Sequence, residues 1–475
     1  MVLAPIQPDV APPIDFLEVQ ELSGGMQRGY EAETSSPSVG TRRFYLGPQA
    51  KFALAAFFAS LWLGGSVWIS RSWILELARV ISLVPAVIVV TLLAFVPGFV
   101  VAMLAASLLL DRQPPFKVLH PTNPITVLIA ARNEEEGIGE TLRYLANQDY
   151  NGRMAVVVVD NGSTDATVET ARLVGTEVGL NLRIAPESSP GKSHALNRGL
   201  SLVRTRLVAT VDADTLLHRS ALRLLVSRLE SSMPSVAAVA GCVLVRNSRR
   251  NLWTRLQEWD YFLGIASVKR MQGLFQTTLV AQGAFSLYRT KEVRKAGGWP
   301  DAIGEDIVLT WNLMRSGARI YYEPLAVAFT SAPETMHHFA RQRARWARGM
   351  LEGLRTVPPW RQQRGFAKML TAIDLLIPLL DCTYVLVWIP GLVLACFGVF
   401  WIVGPVTVAV LPVTLAVYGL LHRFQRRQVF EPLGLRVRRN GLGFFLFIVM
   451  YQFFMSSVSV AGYAQQLVGT RRRWK

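Results

Sequence analysis

The sequence predicts an α/β domain held between membrane-spanning helices. Two observations lead there. Between about 123 and 330, short β-rich runs alternate with helical stretches, the pattern of a sheet with helices packed against it. On both sides lie apolar blocks too long for the core of a soluble domain, and 51% of all residues are hydrophobic.

The elements follow in order. Residues 1–44 contain Pro, Ser and acidic residues and no early apolar run, so they are expected to form a disordered cytoplasmic tail rather than a secretory signal. Residues 45–111 hold two uncharged apolar stretches, 52–70 and 80–110. Each can cross a hydrocarbon core of about 30 Å, which takes roughly 20 helical residues. Arg42, Arg43 and Lys51 precede the first stretch and place the N-terminus in the cytoplasm. Two crossings return the chain there for a domain at 112–332 and amphipathic interfacial helices at 333–372. Residues 373–475 are expected to hold about three more spans. The stretch 375–421 carries one charge, Asp381, and suits two helices turning near 401–405; a last span covers about 444–462. Between them, 422–440 is a basic loop with Arg423, Arg426, Arg427, Arg436, Arg438 and Arg439, which belongs on the cytoplasmic side. A fifth crossing would leave Arg471–Arg473 and Lys475 outside, against that rule. Asp381, alone among apolar residues, calls for a partner, water or a place near a helix end.

Much of the formal net charge of +17 lies in these juxtamembrane clusters, which suits anionic lipid better than nucleic acid. Cys242, Cys382 and Cys396 have no metal or disulfide spacing and read as packing residues.

Within the domain, strands are expected at 125–130, 155–159 and 207–211, with helices at 136–147 and 167–174. Functional loops of such sheets gather at the carboxyl ends of the strands. Asn133-Glu134, Asp160 and Asp212 each follow a strand in this way. The loop from Asp160 to Asp165 either caps the next helix or binds a base or ribose through Asp160 or Asn161. Asp212 and Asp214, with only Ala213 between them, repel unless a cation joins them. Mg²⁺ or Mn²⁺ would take both and complete its shell with phosphate oxygens and water; a solvated acidic turn is the plainer reading. Gly191-Lys192 opens a helix after Pro190, so Lys192 can reach phosphate, while His194 reads as a packing or capping residue. Glu305-Asp306 opens a helix over 307–315. It is either an acidic first turn matched to the helix dipole or a base that accepts a proton from an attacking hydroxyl. Residues 335–355 form a basic amphipathic stretch suited to a membrane surface. In it, Arg345 can grip pyrophosphate through its planar fork and Trp346 can stack on a sugar.

In this order the motifs resemble those of family 2 processive glycosyltransferases, the group of cellulose, hyaluronan, chitin and poly-N-acetylglucosamine synthases. Gly304-Glu305-Asp306 stands where such enzymes have Thr/Gly-Glu-Asp, and Gln342-Arg343-Ala344-Arg345-Trp346 matches their Gln-x-x-Arg-Trp. The run 303–323, Pro333-Glu334-Thr335 and the helix arrangement most resemble bacterial poly-β-1,6-N-acetylglucosamine synthases. The resemblance implies a GT-A-type domain with a mixed central sheet, two transmembrane helices before it and about three after. It implies one-step inverting transfer from a UDP-sugar, UDP-GlcNAc first, with Mg²⁺ or Mn²⁺ as cofactor. The product would be a β-linked polysaccharide passed across the bacterial cytoplasmic membrane. Partners would be the bilayer, the growing polysaccharide and a small membrane accessory subunit, with no nucleic acid. Asp160 would contact the uridine, with Asn133, Glu134, Asn161 and Lys192 also binding substrate. Asp212 and Asp214 would meet the metal-bound diphosphate. Asp306, beside Glu305, would take the acceptor proton, and Gln342, Arg345 and Trp346 would hold the pyrophosphate and the acceptor end. Asn161 stands where many members have a second Asp, and His194 replaces a frequent Gly. A missing Phe-x-Val-Thr-x-Lys run and the lack of room for a C-terminal regulatory domain argue against cellulose synthase. The alternatives are transfer of one sugar to a lipid carrier, synthesis of a hyaluronan, chitin-like or glucan chain, and a catalytically silent scaffold.

Overall fold

The structure, a computed structural model, describes residues 46–435 and 438–469. The expected tail at 1–44, Arg436, Arg471–Arg473 and Lys475 lie outside the described residues.

Two apolar helices come first, α1 (Pro48–Ile69) and α3 (Leu83–Leu109), with the short α2 (Arg71–Ile81) at their turn. The domain then alternates strands and helices: β1 (Ile125–Ala131), α4 (Ile138–Ala146), β2 (Met154–Asp160), α5 (Thr167–Glu177), β3 (Leu182–Pro186), α6 (Lys192–Leu202), β4 (Leu207–Val211), β5 (Leu216–Leu217) and α7 (Ala221–Glu230). Next come β6 (Val236–Val245), α8 (252–274, with a π-helical segment Asp260–Ile265), β7 (Phe285–Arg289), α9 (Glu305–Arg315), β8 (Arg319–Thr330) and α10 (Met336–Thr356). The chain closes with α11 (Gly365–Cys396), α12 (Pro405–Gln425) and α13 (Gly441–Val468).

All eight strands form one mixed sheet in the order β3-β2-β1-β4-β7-β6-β8-β5. Strands β3, β2, β1 and β4 are mutually parallel, β7 runs against β4 and β6, and β8 runs with β6. The carboxyl ends of β1, β2, β4, β6 and β8 therefore share one edge with the start of β7. The register Ala131↔Asp160 and the pair Val211↔Phe285 fix which loops meet there. All ten residues of β6 are buried, as expected for a strand covered on both faces.

One face of the sheet packs under α4, α5 and α7, through residues such as Leu142, Ala171 and Leu225. The other face packs under α6 and α8 and is continuous with the membrane helices, through Ala55, Ala59 and Leu104. Polar ties reinforce that junction. Lys51 Nζ donates to Arg112 O at 2.8 Å, and the buried Arg270 of α8 pairs with Asp111.

Among the described residues, α1, α3, α11 and α13 are long and apolar enough to cross a membrane. Trp73 Nε1 donates to Trp401 O at 2.9 Å, so the turn at α2 and the turn between α11 and α12 lie together. Helix α11 breaks at Leu375-Leu376, and Ile377-Pro378 starts its second part. Asp381 lies one turn into that part, and its carboxylate accepts from Ser456 Oγ at 2.7 Å and Tyr463 Oη at 2.8 Å. Helix α13 touches the domain at both ends. At its start, Trp259 Nε1 donates to Asn440 O at 3.1 Å and Asn440 Nδ2 to Glu258 Oε2 at 2.8 Å. Near its end, Arg348 Nε donates to Gln466 Oε1 at 3.2 Å.

Candidate active site

The shared edge of the sheet gathers the expected carboxylates. The Asp212–Asp214 turn is held from below: Thr141 Oγ1 of α4 donates to Ala213 O at 2.8 Å, and Thr330 Oγ1, the last residue of β8, donates to Asp214 Oδ2 at 3.2 Å. Lys192, the first residue of α6, reaches Asp212 with Nζ 2.5 Å from Oδ1 and stands 4.0 Å from Glu305 Oε1. Burial alone would lower the Lys192 pKa, but Asp212 and Glu305 outweigh it and hold the ammonium charged. Burial, then the charges of Asp212 and Glu134, push Asp214 up to about 6. Two carboxylates with one lysine leave a local excess of negative charge. That excess is what a cation relieves. Among the described residues no group of three or more His, Cys, Asp or Glu forms a metal cage. A cation here would draw most of its shell from phosphate and water, as Mg²⁺ and Mn²⁺ do.

Glu305 and Asp306 open α9 beside this cluster. Gly283 N, in the loop before β7, donates to Asp306 Oδ2 at 3.2 Å, and Ile307 N donates to Oδ1 at 2.9 Å. The acidic first turn and the positioned carboxylate thus coexist in one residue. Glu305 is raised by burial and by Asp306, against the pull of Lys192 and Arg345. Helix α9 reaches this spot because Gly304 and Gly349 of α10 touch through their backbones. A Cβ on Gly304 would stand 2.9 Å from the Gly349 Cα, and the reverse holds equally.

Helix α10 carries the Gln-x-x-Arg-Trp residues. Arg345 is exposed, and its charge is near enough to Glu305 to favour that carboxylate's charged form. The Gln342 Oε1 is buried without a partner. Arg343 is something else. Its side chain is 1% exposed, its Nη2 lies 2.7 Å from Asp260 Oδ2, and its guanidinium covers the Trp346 ring at 4.1 Å. It anchors α10 to α8 and occupies one face of the indole that was expected to be free for sugar.

Two loop residues have structural work that their sequence context did not reveal. Asn161, expected to contact a nucleotide, is 3% exposed and spends its amide inside the protein. Its Nδ2 donates to Glu187 O and Ser189 O at 3.1 and 2.7 Å, and its Oδ1 accepts from Gly191 N at 2.8 Å. It fixes the loop that presents Lys192. Asn133, at φ 53, accepts from Thr164 N at 2.8 Å and ties the loop after β1 to the loop after β2. Asp160 accepts from Ser163 N at 3.1 Å and Asp165 from Thr167 N at 3.1 Å, so both brace the loop, but the N-cap position is Ala166 and neither Thr164 nor Asp165 caps the helix. Glu134 lies near enough to Asp214 to raise its pKa.

Sequence reasoning missed Lys269 and Gln282. Lys269, buried in α8, donates to Gln282 Oε1, and Gln282 Nε2 donates to Gly241 O at 3.0 Å. This brace holds the loop whose Gly283 amide meets Asp306. Burial pushes Lys269 down to about 8, and Asp306 opposes that shift. Neither residue stands in a recognisable motif, and only three-dimensional neighbours reveal them.

Residues 121–349 match the family model described as glycosyltransferase like family 2. The chain is 31% identical over 241 residues to the poly-beta-1,6-N-acetyl-D-glucosamine synthase of Staphylococcus aureus (strain COL), covering 50% of this chain and 57% of that protein. It is 29% identical over 226 residues to the Staphylococcus epidermidis synthase of the same name, covering 47% and 54%. The chain thus spans little more than half the length of the curated relatives it matches. In shape it is similar to the mannosyltransferase PcManGT from Pyrobaculum calidifontis, solved with GDP-Man and Mn²⁺. The TM-score is 0.53 at 22% identity, over 77% of this chain and 93% of that one.

Proposed function

From a chain that carries a family 2 glycosyltransferase domain of GT-A fold at residues 121–349, we propose a membrane-embedded, inverting polysaccharide synthase. It would polymerise a β-linked chain from a UDP-sugar, with UDP-GlcNAc the first choice, and pass it across the membrane. One observation carries the reading most. Asp306, oriented by the Gly283 amide, stands beside the Lys192–Asp212–Asp214 cluster and beneath the helix that bears Arg345 and Trp346.

In this reading Asp306 accepts the proton of the acceptor hydroxyl as that oxygen attacks the anomeric carbon. The hydroxyl approaches opposite the departing UDP, so the configuration inverts. Lys192 and Arg345 neutralise charge that builds on the diphosphate, in a site where burial strengthens each interaction. A divalent cation held by Asp212 and Asp214 would supply further neutralisation of the diphosphate. Glu305 is raised by burial and by Asp306, while Lys192 and Arg345 favour its charged form, so it is poised between the two beside the departing diphosphate. Asp160 lies at the strand end where the uridine would sit, and the Asn133 and Asn161 bonds shape the surrounding loops.

The contacts support a particular membrane arrangement. In it the domain and the segment 422–440 would lie on the cytoplasmic side, with α1, α3 and α11 crossing and the less apolar α12 returning the chain after α11. Helix α13 is bonded to α8 at its start and to α10 near its end, which supports a course along the membrane surface rather than across it. A surface course needs no fifth crossing and so raises no conflict with the charge rule.

The test is product length from the purified chain given labelled UDP-sugars. Long chains from one UDP-sugar support the proposal. Single additions to a lipid would replace it with the carrier-glycosylation reading, and no UDP release would overturn enzymatic activity altogether.

A further inference from the structure

A second polar site lies at the opposite end of β8 from the carboxylates. Strand β8 starts at Arg319 and ends at Thr330, so the two sites stand roughly 35 Å apart along it at about 3.3 Å per residue. Around Arg319 is a cavity of about 600 Å³, where α1 and α11 leave the domain. Its polar wall is Gln49, Gln276, Thr277, Arg319 and Arg364. Its apolar wall includes Pro48, Phe275 and Phe366.

The polar wall is unbalanced. Arg319 donates through Nη1 to Gln276 Oε1, while its Nε is buried without a partner. Burial and the neighbouring Arg319 lower Arg364 from its ordinary value. Among the described residues no Asp or Glu lines the cavity. Two guanidinium groups therefore converge with neutral and apolar company only. An anion with several acceptor oxygens relieves that repulsion and fits the planar forks. Gln276 keeps its place by adopting φ 58, a conformation that side-chain-bearing residues seldom take.

The apolar wall indicates which anion. The Phe275 and Phe366 rings stack at 5.5 Å, and Phe52 of α1 packs on both, at 5.6 and 5.3 Å. The aromatic cluster thus joins α1, α11 and the loop after α8. The cavity opens where these two membrane helices begin, beside Met233, which is 46% exposed, and shortly after Trp360, which is 72% exposed. Tryptophan at that level marks a membrane–water boundary. We propose that this cavity binds the phosphate of an anionic lipid headgroup, with the acyl chains continuing along Phe366 and α11. The proposal rests on the membrane reading above but not on the sugar chemistry.

The test uses the full chain in phosphatidylcholine nanodiscs, with thermal stability as the readout. Adding phosphatidylglycerol should raise the midpoint in the wild type. In R319Q/R364Q the half-saturating lipid fraction should rise about tenfold or more, the scale of one charge-assisted hydrogen bond. R319K/R364K keeps the charge and should retain part of the response, which separates anion binding from misfolding. If inorganic phosphate gives the same Arg-dependent shift, the site takes free phosphate and the lipid assignment falls. An equal response to phosphatidylglycerol in R319Q/R364Q overturns the site. Because stability is read without any sugar, a failed polymerisation assay leaves this result independent.

Discussion

Replacing Asp214 by Asn should make the metal-free protein more stable above pH 6 while removing its response to Mg²⁺. Asp214 sits near 6 in the fold against an ordinary value of about 3.9. A carboxyl raised in the fold imposes no penalty while both states are protonated, below about pH 4. As pH rises from about 4 to 6, the unfolded chain ionises first and stability falls. Above the folded pKa the penalty is constant. Two units correspond to about 3 kcal/mol, and partial solvent access cuts that to roughly 1–2 kcal/mol. Asn removes the charge and retains an acceptor for Thr330 Oγ1, so the variant should escape the loss. Chemical denaturation of both proteins at pH 4, 6 and 8 measures this, with and without Mg²⁺. The wild type should recover stability with Mg²⁺ at pH 8, and the variant should gain little. A variant that is less stable than the wild type at pH 8, or equally responsive to Mg²⁺, would refute the electrostatic account of the pair.

Three further outcomes are expected. Asp306→Asn should lower turnover by about 10²–10⁴ while UDP affinity and melting temperature change little; near-normal turnover would leave the chain without an assigned base. Arg343→Met strands a buried Asp260 and should cost about 3–5 kcal/mol of stability, whereas Arg345→Met should lose activity and keep the fold; denaturation and UDP-release assays on the two neighbours tell them apart. With the native cysteines replaced, Val468→Cys should react with an impermeant thiol reagent only in inside-out vesicles. Reaction from the outer face would mean that α13 crosses.

How much of this was readable beforehand depends on whether the signal was local. The loops at Asp160, Asp212 and Asp306 announced themselves because each combines a strand or helix terminus with charged residues. The central sheet was readable for β1, β2 and β4, whose Val- and Ile-rich runs end in polar turns. Strand β6 was not, since Val236–Val245 is rich in Ala and contains Gly241, residues with weak strand preference that only tertiary burial keeps extended. Asn161 looked like a ligand residue because exposed and buried amides have the same letter. Its partners, Glu187, Ser189 and Gly191, come from a loop whose path no local pattern encodes. Helix α13 has the composition of a span, and composition cannot register that Gln466 returns to Arg348.

The glycine contacts along α10 have a mechanical consequence. Gly304 meets Gly349 on one side of the helix. On the other, a Cβ at Gly462 of α13 would lie 2.7 Å from Ala344 O. At these glycines the three helices approach backbone to backbone, with no side chain between them to absorb displacement. A close-packed stack of this kind transmits strain rather than damping it. In the proposed arrangement the first element, α13, borders lipid, and the last, α9, carries Asp306 in its first turn. Under the proposed function, bilayer thickness and lateral pressure would then bear on where the Asp306 carboxylate stands, and the lipid surroundings would act as a stiff lever on the site rather than as a passive solvent.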